Sequence, residues 1–234
     1  MALPPEIAGH LNLDGPPVTP RPAATVLLVR DGDPWELLMV HRPGGADFAP
    51  GAYVFPGGAV HDEDRAWSDE IAGAAVRETF EETGILLARN RGRFAREDEC
   101  DGLRAAITNG ASFAPAMQAA GLEPALDELV MFARWVTPAQ LRRRFDTRFF
   151  AARLPTGQTI HPQEGEVTDW LWTSPQRALA SAEITLVYAT RAILESVVGE
   201  KDASALLARA HAMRDFPVIE PRIVRAGDGW RIER

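Results

Sequence analysis

Residues 77–84, RETFEETG, constrain this chain more than any other stretch. Glu78, Glu81 and Glu82 crowd together there, and Gly84 is a natural helix stop. On a helix each residue advances about 100°, so the three carboxylates share one face. Like charges at that spacing repel by a few tenths of a kcal/mol. The C-terminal end of a helix also carries partial negative charge, which adds a similar penalty. Arg77 can pair with Glu81 one turn on, but no lysine is near; Lys201 is the only one in the chain. A solvated acidic face would read the same way. These acids, however, sit at the end of the helix that they destabilise, and a glycine-rich FPGG precedes them at 55–58. Hard divalent cations take several carboxylate oxygens at short range. Mg²⁺ or Mn²⁺ would turn the repulsion into affinity, so the cluster is read as a metal platform.

Around this helix the pattern is mixed. Residues 24–30 and 36–42 read as strands joined by the turn DGDP, and 42–58 as loop with a short strand near Ala52–Phe55. The acidic helix should run from an N-cap at Ser68 to Thr83, with Ile71, Ala75, Thr79 and Phe80 as its apolar stripe. Residues 85–87 should resume as a strand. Residues 91–127 read as a helical insertion, with helices near 97–108 and 112–120, acting as a lid or packing on a neighbouring subunit. Strands are expected over 128–138, 145–155 and 166–172, with a short helix at 139–144. Helices follow near 175–182, 186–198 and 203–214, then a hairpin turning at Gly227–Gly229. This order predicts a mixed α/β or α+β layered domain. The expected organisation is an extended, proline-rich arm at 1–20, a domain at 21–182, and C-terminal helices and a hairpin at 183–234 packed on it.

Composition narrows the partners. The net charge of −8 disfavours nucleic acid and anionic membrane. No apolar run is long enough to span a bilayer, and the N-terminus lacks the pattern of a secretory signal. One cysteine, Cys100, permits no internal disulfide and fits a reducing compartment. The arginine and alanine bias has a bacterial look.

FPGG at 55–58 with AAVRETFEETGI at 74–85 resembles the Nudix box, G-x5-E-x7-R-E-U-x-E-E-x-G-U, where U is aliphatic. Arg77, Glu78, Glu81, Glu82, Gly84 and Ile85 match, and Thr79 stands where an aliphatic residue is usual. Arg77 follows Gly58 by 19 positions, five more than in the usual box. The early box acid is therefore Asp64, counting forward, or Asp69, counting back. The resemblance implies a Nudix fold, a mixed sheet sandwiched between helices. It also implies hydrolysis of a diphosphate linked to a moiety X, with Mg²⁺ or Mn²⁺. Glu78 and Glu82 would ligate metal, with Glu81 as a further ligand or orienting group, and Arg77 would be the box arginine. A later-loop acid, Glu166 or Glu164, would serve as base or ligand. Gly57, Gly58 and Arg42 would meet substrate, although Arg42 reads equally as a surface charge.

Leu38, Arg42, Gly51 and FPGG are spaced as in coenzyme A pyrophosphatases of this superfamily, while Pro43 and Asp47 replace that pattern's serine and second arginine. From about Arg21 to Ala180 the chain resembles the branch that contains the peroxisomal mammalian coenzyme A diphosphatase and actinobacterial relatives. That implies CoA or acyl-CoA, cut to 3′,5′-ADP and a phosphopantetheine product. ADP-ribose, NADH, a nucleoside triphosphate, or binding without catalysis are the alternatives. With no peroxisomal tripeptide at its end, the chain is expected in the cytoplasm; a homodimer is expected from the resemblance. Trp170 and Trp172 share a strand face and should be buried, the phenylalanines of RFDTRFF should pack in the core, Asp146 should pair with Arg148, and His61 reads as a loop histidine.

Overall fold

The computed structural model of the protein describes residues 9–12, 14–45, 49–162, 165 and 167–233. Asp47, Glu164 and Glu166 lie outside the described residues. The apolar run ATVLLVR falls in β1 (Arg21–Arg30). Val26, Leu27, Leu28 and Val29 are all fully buried, although neighbouring side chains on a strand point to opposite faces. Both faces of the sheet must therefore be covered. Val26 and Leu28 enter one apolar core, and Leu27 and Val29 enter another.

β1 pairs in parallel with β9 (Phe145–Arg153) along nearly its whole length, from Arg21 opposite Phe145 to Val29 opposite Arg153. Such a pair, covered on both sides, reads as a continuous apolar run instead of an alternation. Antiparallel partners flank it: β2 (Glu36–His41) on β1 and β8 (Val130–Val136) on β9. β10 (Asp169–Thr173) closes one edge on β2, and β11 (Val218–Ile219) the other, parallel to β8. Two short strands complete the sheet, β3 (Tyr53–Val54) on β2 and β4 (Gly57–Ala59) on β1. β4 begins within the stretch 42–58 that sequence assigns to loop.

The acidic helix α1 (Glu70–Thr83) covers one face. After β5 (Ala88–Asn90), the insertion lies outside α1: β6 (Arg93–Phe94), α2 (Glu97–Thr108), α3 (Phe113–Ala119) and β7 (Glu123–Pro124). Cys100, Leu103, Phe113 and Met117 of the insertion share one core with Val76 and Phe80 of α1. The other face is covered by α4 (Pro175–Ala180), α5 (Tyr188–Val197) and α6 (Ala203–Ala212). A hairpin of β12 (Arg222–Ala226) and β13 (Gly229–Glu233) forms a sheet of its own. The result is the expected mixed sheet between helices.

Five local expectations change. Asp69, not Ser68, caps α1, its Oδ1 accepting from the N–H groups of Ile71 and Ala72 at 3.0 Å each. Residues 85–87 are not a strand, because the buried Gln158 side chain occupies the backbone of Leu86. Gln158 Oε1 accepts from Leu86 N–H at 2.8 Å, and its Nε2 donates to Leu86 O at 3.0 Å and Ala95 O at 2.9 Å. Residues 139–144 form no helix. Leu141 bridges to Leu11, and the N–H of Arg142 donates to His10 O at 3.0 Å, so tertiary pairing takes those groups. Asp146 pairs with Arg134 on the adjacent strand (2.8 and 2.6 Å), not with Arg148. Trp170 is 39% exposed, on the edge strand, whereas Trp172 is half-buried beneath Arg30, whose guanidinium lies 4.3 Å from its ring centroid. Phe149 and Phe150 are buried, as expected of core residues.

Candidate active site

α1 ends at Gly84 in the left-handed conformation (φ 75°), donating its N–H to Phe80 O. That stop places Glu78, Glu81 and Glu82 in the last turns, beside the strand β4. Two glycines of β4 make the approach possible. A Cβ on Gly58 would lie 2.4 Å from the Glu78 carboxyl, and one on Gly57 (φ 153°) would meet Ala24 O at 2.2 Å. A side chain on Gly57 would push β4 away from β1, and one on Gly58 would displace the Glu78 carboxyl. Gly57 N–H donates to Glu82 Oε2 at 3.0 Å. The expected substrate glycines thus seat the box acids directly.

Arg77 is 1% exposed and uses all five of its N–H donors. Nε and one Nη2 hydrogen form a fork on Asp64, at 2.9 Å each, and Nη2 also reaches Ala59 O at 2.9 Å. Nη1 reaches Glu78 Oε1 and Glu81 Oε2, both at 2.8 Å. A buried guanidinium is tolerated only when its donors and charge are matched this fully. Asp64 is itself fully buried and also accepts from His61 N–H at 2.7 Å. The ambiguity over the early box acid therefore resolves to Asp64; Asp69 is only a helix cap. The five extra residues are absorbed by a short 3-10 turn at Asp62–Ala66 and its link to α1.

Electrostatics follow from this burial. Desolvation alone would lower the Arg77 guanidinium, but hydrogen bonds to Asp64 and the charges of Glu78, Glu81 and Asp64 outweigh it and raise it. Burial pushes the Glu81 carboxyl up to about 6, against the pull of Arg77. One arginine thus faces three carboxylates, an excess of negative charge at the negative end of a helix. Glu82 is almost buried and lies 3.5 Å from Arg42 Nη1. Arg42 follows β2 directly and is no bare surface charge. It too borders the acids.

Among the described residues no three acidic, histidine or cysteine side chains stand together as a metal cluster. Arg77 and Gly57 hold the acids instead. The donor chemistry nonetheless fits a hard divalent ion: three carboxylates from Glu78, Glu81 and Glu82, excess negative charge, and a cradle that Cβ atoms would fill.

Beside Gly57 and Arg42 opens a cavity of about 530 Å³, whose lining also includes Thr25, Phe55, Trp135 and Phe149. That size is usual for a small-molecule site. Sequence spacing carries no signal for these aromatic walls, because they come from strands far apart in the chain. Among the described residues no helix is long and apolar enough to cross a membrane.

The family model NUDT19 Nudix domain matches residues 68–190. A Caenorhabditis elegans protein that carries the name nudix hydrolase 7 is 34% identical over 147 residues, 62% of this chain and 49% of that protein. Acyl-coenzyme A diphosphatase NUDT19 of Gallus gallus is 28% identical, over 62% of this chain and 55% of its own. The Homo sapiens protein of that name is 26% identical, over 71% and 58%. The chain therefore spans about half the length of the curated relatives it matches. The crystal structure of a NUDIX hydrolase from Alicyclobacillus acidocaldarius superposes with a TM-score of 0.70 at 29% identity, covering 82% of this chain and 96% of that one. By the glutamates of α1, the fold and the family match over more than half its length, the chain belongs to the Nudix family, in the branch of the NUDT19 Nudix domain.

Proposed function

We propose that the protein is a metal-dependent diphosphohydrolase whose substrate is CoA or acyl-CoA, cut to 3′,5′-ADP and a phosphopantetheine product. The observation that carries this reading is the seating of Glu82 on Gly57 and of Glu78 against Gly58, with Glu81 held beside them by Arg77, next to a cavity that Gly57 and Arg42 line. The names of the relatives, acyl-coenzyme A diphosphatases, support the choice of X, as does the spacing of Leu38, Arg42, Gly51 and FPGG.

Glu78, Glu81 and Glu82 would hold Mg²⁺ or Mn²⁺. When bound, the ion neutralises phosphate oxygens and makes a water acidic enough to attack phosphorus. Arg77 positions Glu78 and Glu81 through Nη1 and does not itself reach substrate. Arg42, 3.5 Å from Glu82, is the guanidinium proposed to meet the diphosphate. Glu166, with Glu164 as its neighbour, is the proposed later-loop acid that takes the water's proton. The partner is a small molecule, and the cytoplasm is the proposed location.

The test is product analysis by mass spectrometry with Mg²⁺ or Mn²⁺ and a mixture of CoA, acetyl-CoA, ADP-ribose, NADH and dNTPs. The wild type is expected to release 3′,5′-ADP, and Glu82→Gln to lower turnover at least ~100-fold while keeping its fold. AMP or a dNMP instead would keep the chemistry and reject CoA. Near-normal turnover in Glu82→Gln would reject the metal platform.

A further inference from the structure

The cavity extends well beyond the box, and strand register gives its reach. Thr25 pairs with Gly57 on one side and with Phe149 on the other, so Phe149 stands level with the box glycine. Phe145 pairs with Arg21, four residues along, which is roughly 13 Å away at the rise of a strand. Phe145, Thr147 and Phe149 lie on one strand face, and all three line the cavity. Its floor is thus a long aromatic track leading away from Glu82. Trp135 and Tyr188, edge to face with ring centroids 6.2 Å apart, stand along one wall. Among the described residues no carboxylate lines the cavity, whereas Arg42 and Arg143 do. An apolar tail along the track meets complementary surroundings, with Arg42 and Arg143 as the cations among its described lining residues.

The far end joins chain from outside the family-matched segment to Leu141 and Tyr188 inside it. His10 and Ile232, from opposite ends of the chain, both line it, with Leu141 between them. Behind them Leu11, Ile223 and Ile232 form a third apolar cluster, against which Leu141, Tyr188 and Trp230 pack. The buried Arg144 pins this end. It donates to Val18 O at 2.7 Å and Thr137 O at 3.0 Å, and pairs with Glu220 at 2.6 Å. The wall is a fixed structure with its own small core.

We propose that this cavity seats the apolar acyl chain of the substrate, and that the wall made by the 9–12 stretch, Leu141 and the C-terminal hairpin sets the chain length accepted. This rests on the reading of the box as a diphosphate site. Ala189 lines the cavity at the start of α5 and is partly exposed, packed at the edge of the second apolar core.

The experiment is calorimetric titration of metal-free protein, in EDTA, with CoA and with thioesters of increasing chain length. Wild-type affinity should rise roughly fourfold for each methylene seated, the fold-change of burying one CH₂, and then level off. Ala189→Trp should bring the plateau to shorter chains, and Leu141→Ala should move it to longer ones. Affinity indifferent to chain length in the wild type overturns the proposal. So does a plateau that neither variant moves while both keep the native circular dichroism spectrum. Turnover with Mg²⁺ is measured in parallel. Binding graded by chain length without hydrolysis supports the tail site and defeats the hydrolase reading. Hydrolysis with one KM for every chain length defeats the tail site alone.

Discussion

Asp64 and Asp69 are five positions apart and carry the same charge, yet they do different work. Asp64 is fully buried and forks onto Arg77, while Asp69 faces solvent and caps α1. Losing one partner of a buried, fully bonded pair strands the other charge and costs about 3–5 kcal/mol. Losing an N-cap costs about 1 kcal/mol. Urea unfolding should accordingly place Asp64→Asn several-fold further below wild type than Asp69→Ala. Equal losses would return the early box acid to ambiguity. The crowding of acids at the wrong end of α1 also has its account at this scale. Arg77 holds two of the carboxylates and Gly57 N–H takes a third, so the fold tolerates the cluster without relieving its excess charge.

At the scale of elements, the insertion 91–127 is part of the core. Its Cys100 is fully buried, and burial pushes the thiol from 9.0 up to about 12. The folded state therefore keeps a proton that the unfolded chain gives up near pH 9. Stability should fall as pH rises between about 9 and 12, while the burial itself costs nothing below that window. A thiol reagent at pH 8 should label the native protein at least ~100-fold more slowly than the denaturant-unfolded chain. Comparable rates would mean that the insertion opens readily, as a lid would, and would remove it from the core. Residues 85–87 teach a related lesson. Their apolar run suits a strand, but the amide of Gln158 takes the backbone of Leu86 first.

Across the whole molecule, the two ends of the chain meet at Arg144. Its guanidinium serves carbonyls of Val18 and Thr137 and the carboxylate of Glu220. Arg144→Met removes the donor from these part-exposed acceptors and should cost about 0.5–1.5 kcal/mol per hydrogen bond. Limited proteolysis is the sharper check: cleavage should appear near residues 9–20 and 217–221 before the sheet is attacked. A variant as resistant as wild type would show that the hairpin is held by its apolar cluster alone.

What the sequence by itself determined is local: the helix with its acids and its glycine stop, the alternation of strands and helices, and the hairpin at Gly227. Those features arise from propensity and periodicity within a few residues, and the Nudix box is one continuous stretch, so the fold family was legible there. Tertiary structure alone decided the rest. Asp64 was chosen over Asp69 because only one of them is carried to Arg77. The helix expected at 139–144 was replaced by pairing with Leu11, because long-range partners satisfied the same backbone groups. The cavity joins β1, β8, β9, α5 and both chain ends, and no spacing along the chain encodes that meeting. Hydrogen bonds and apolar contacts between distant segments form only once the sheet has set their register.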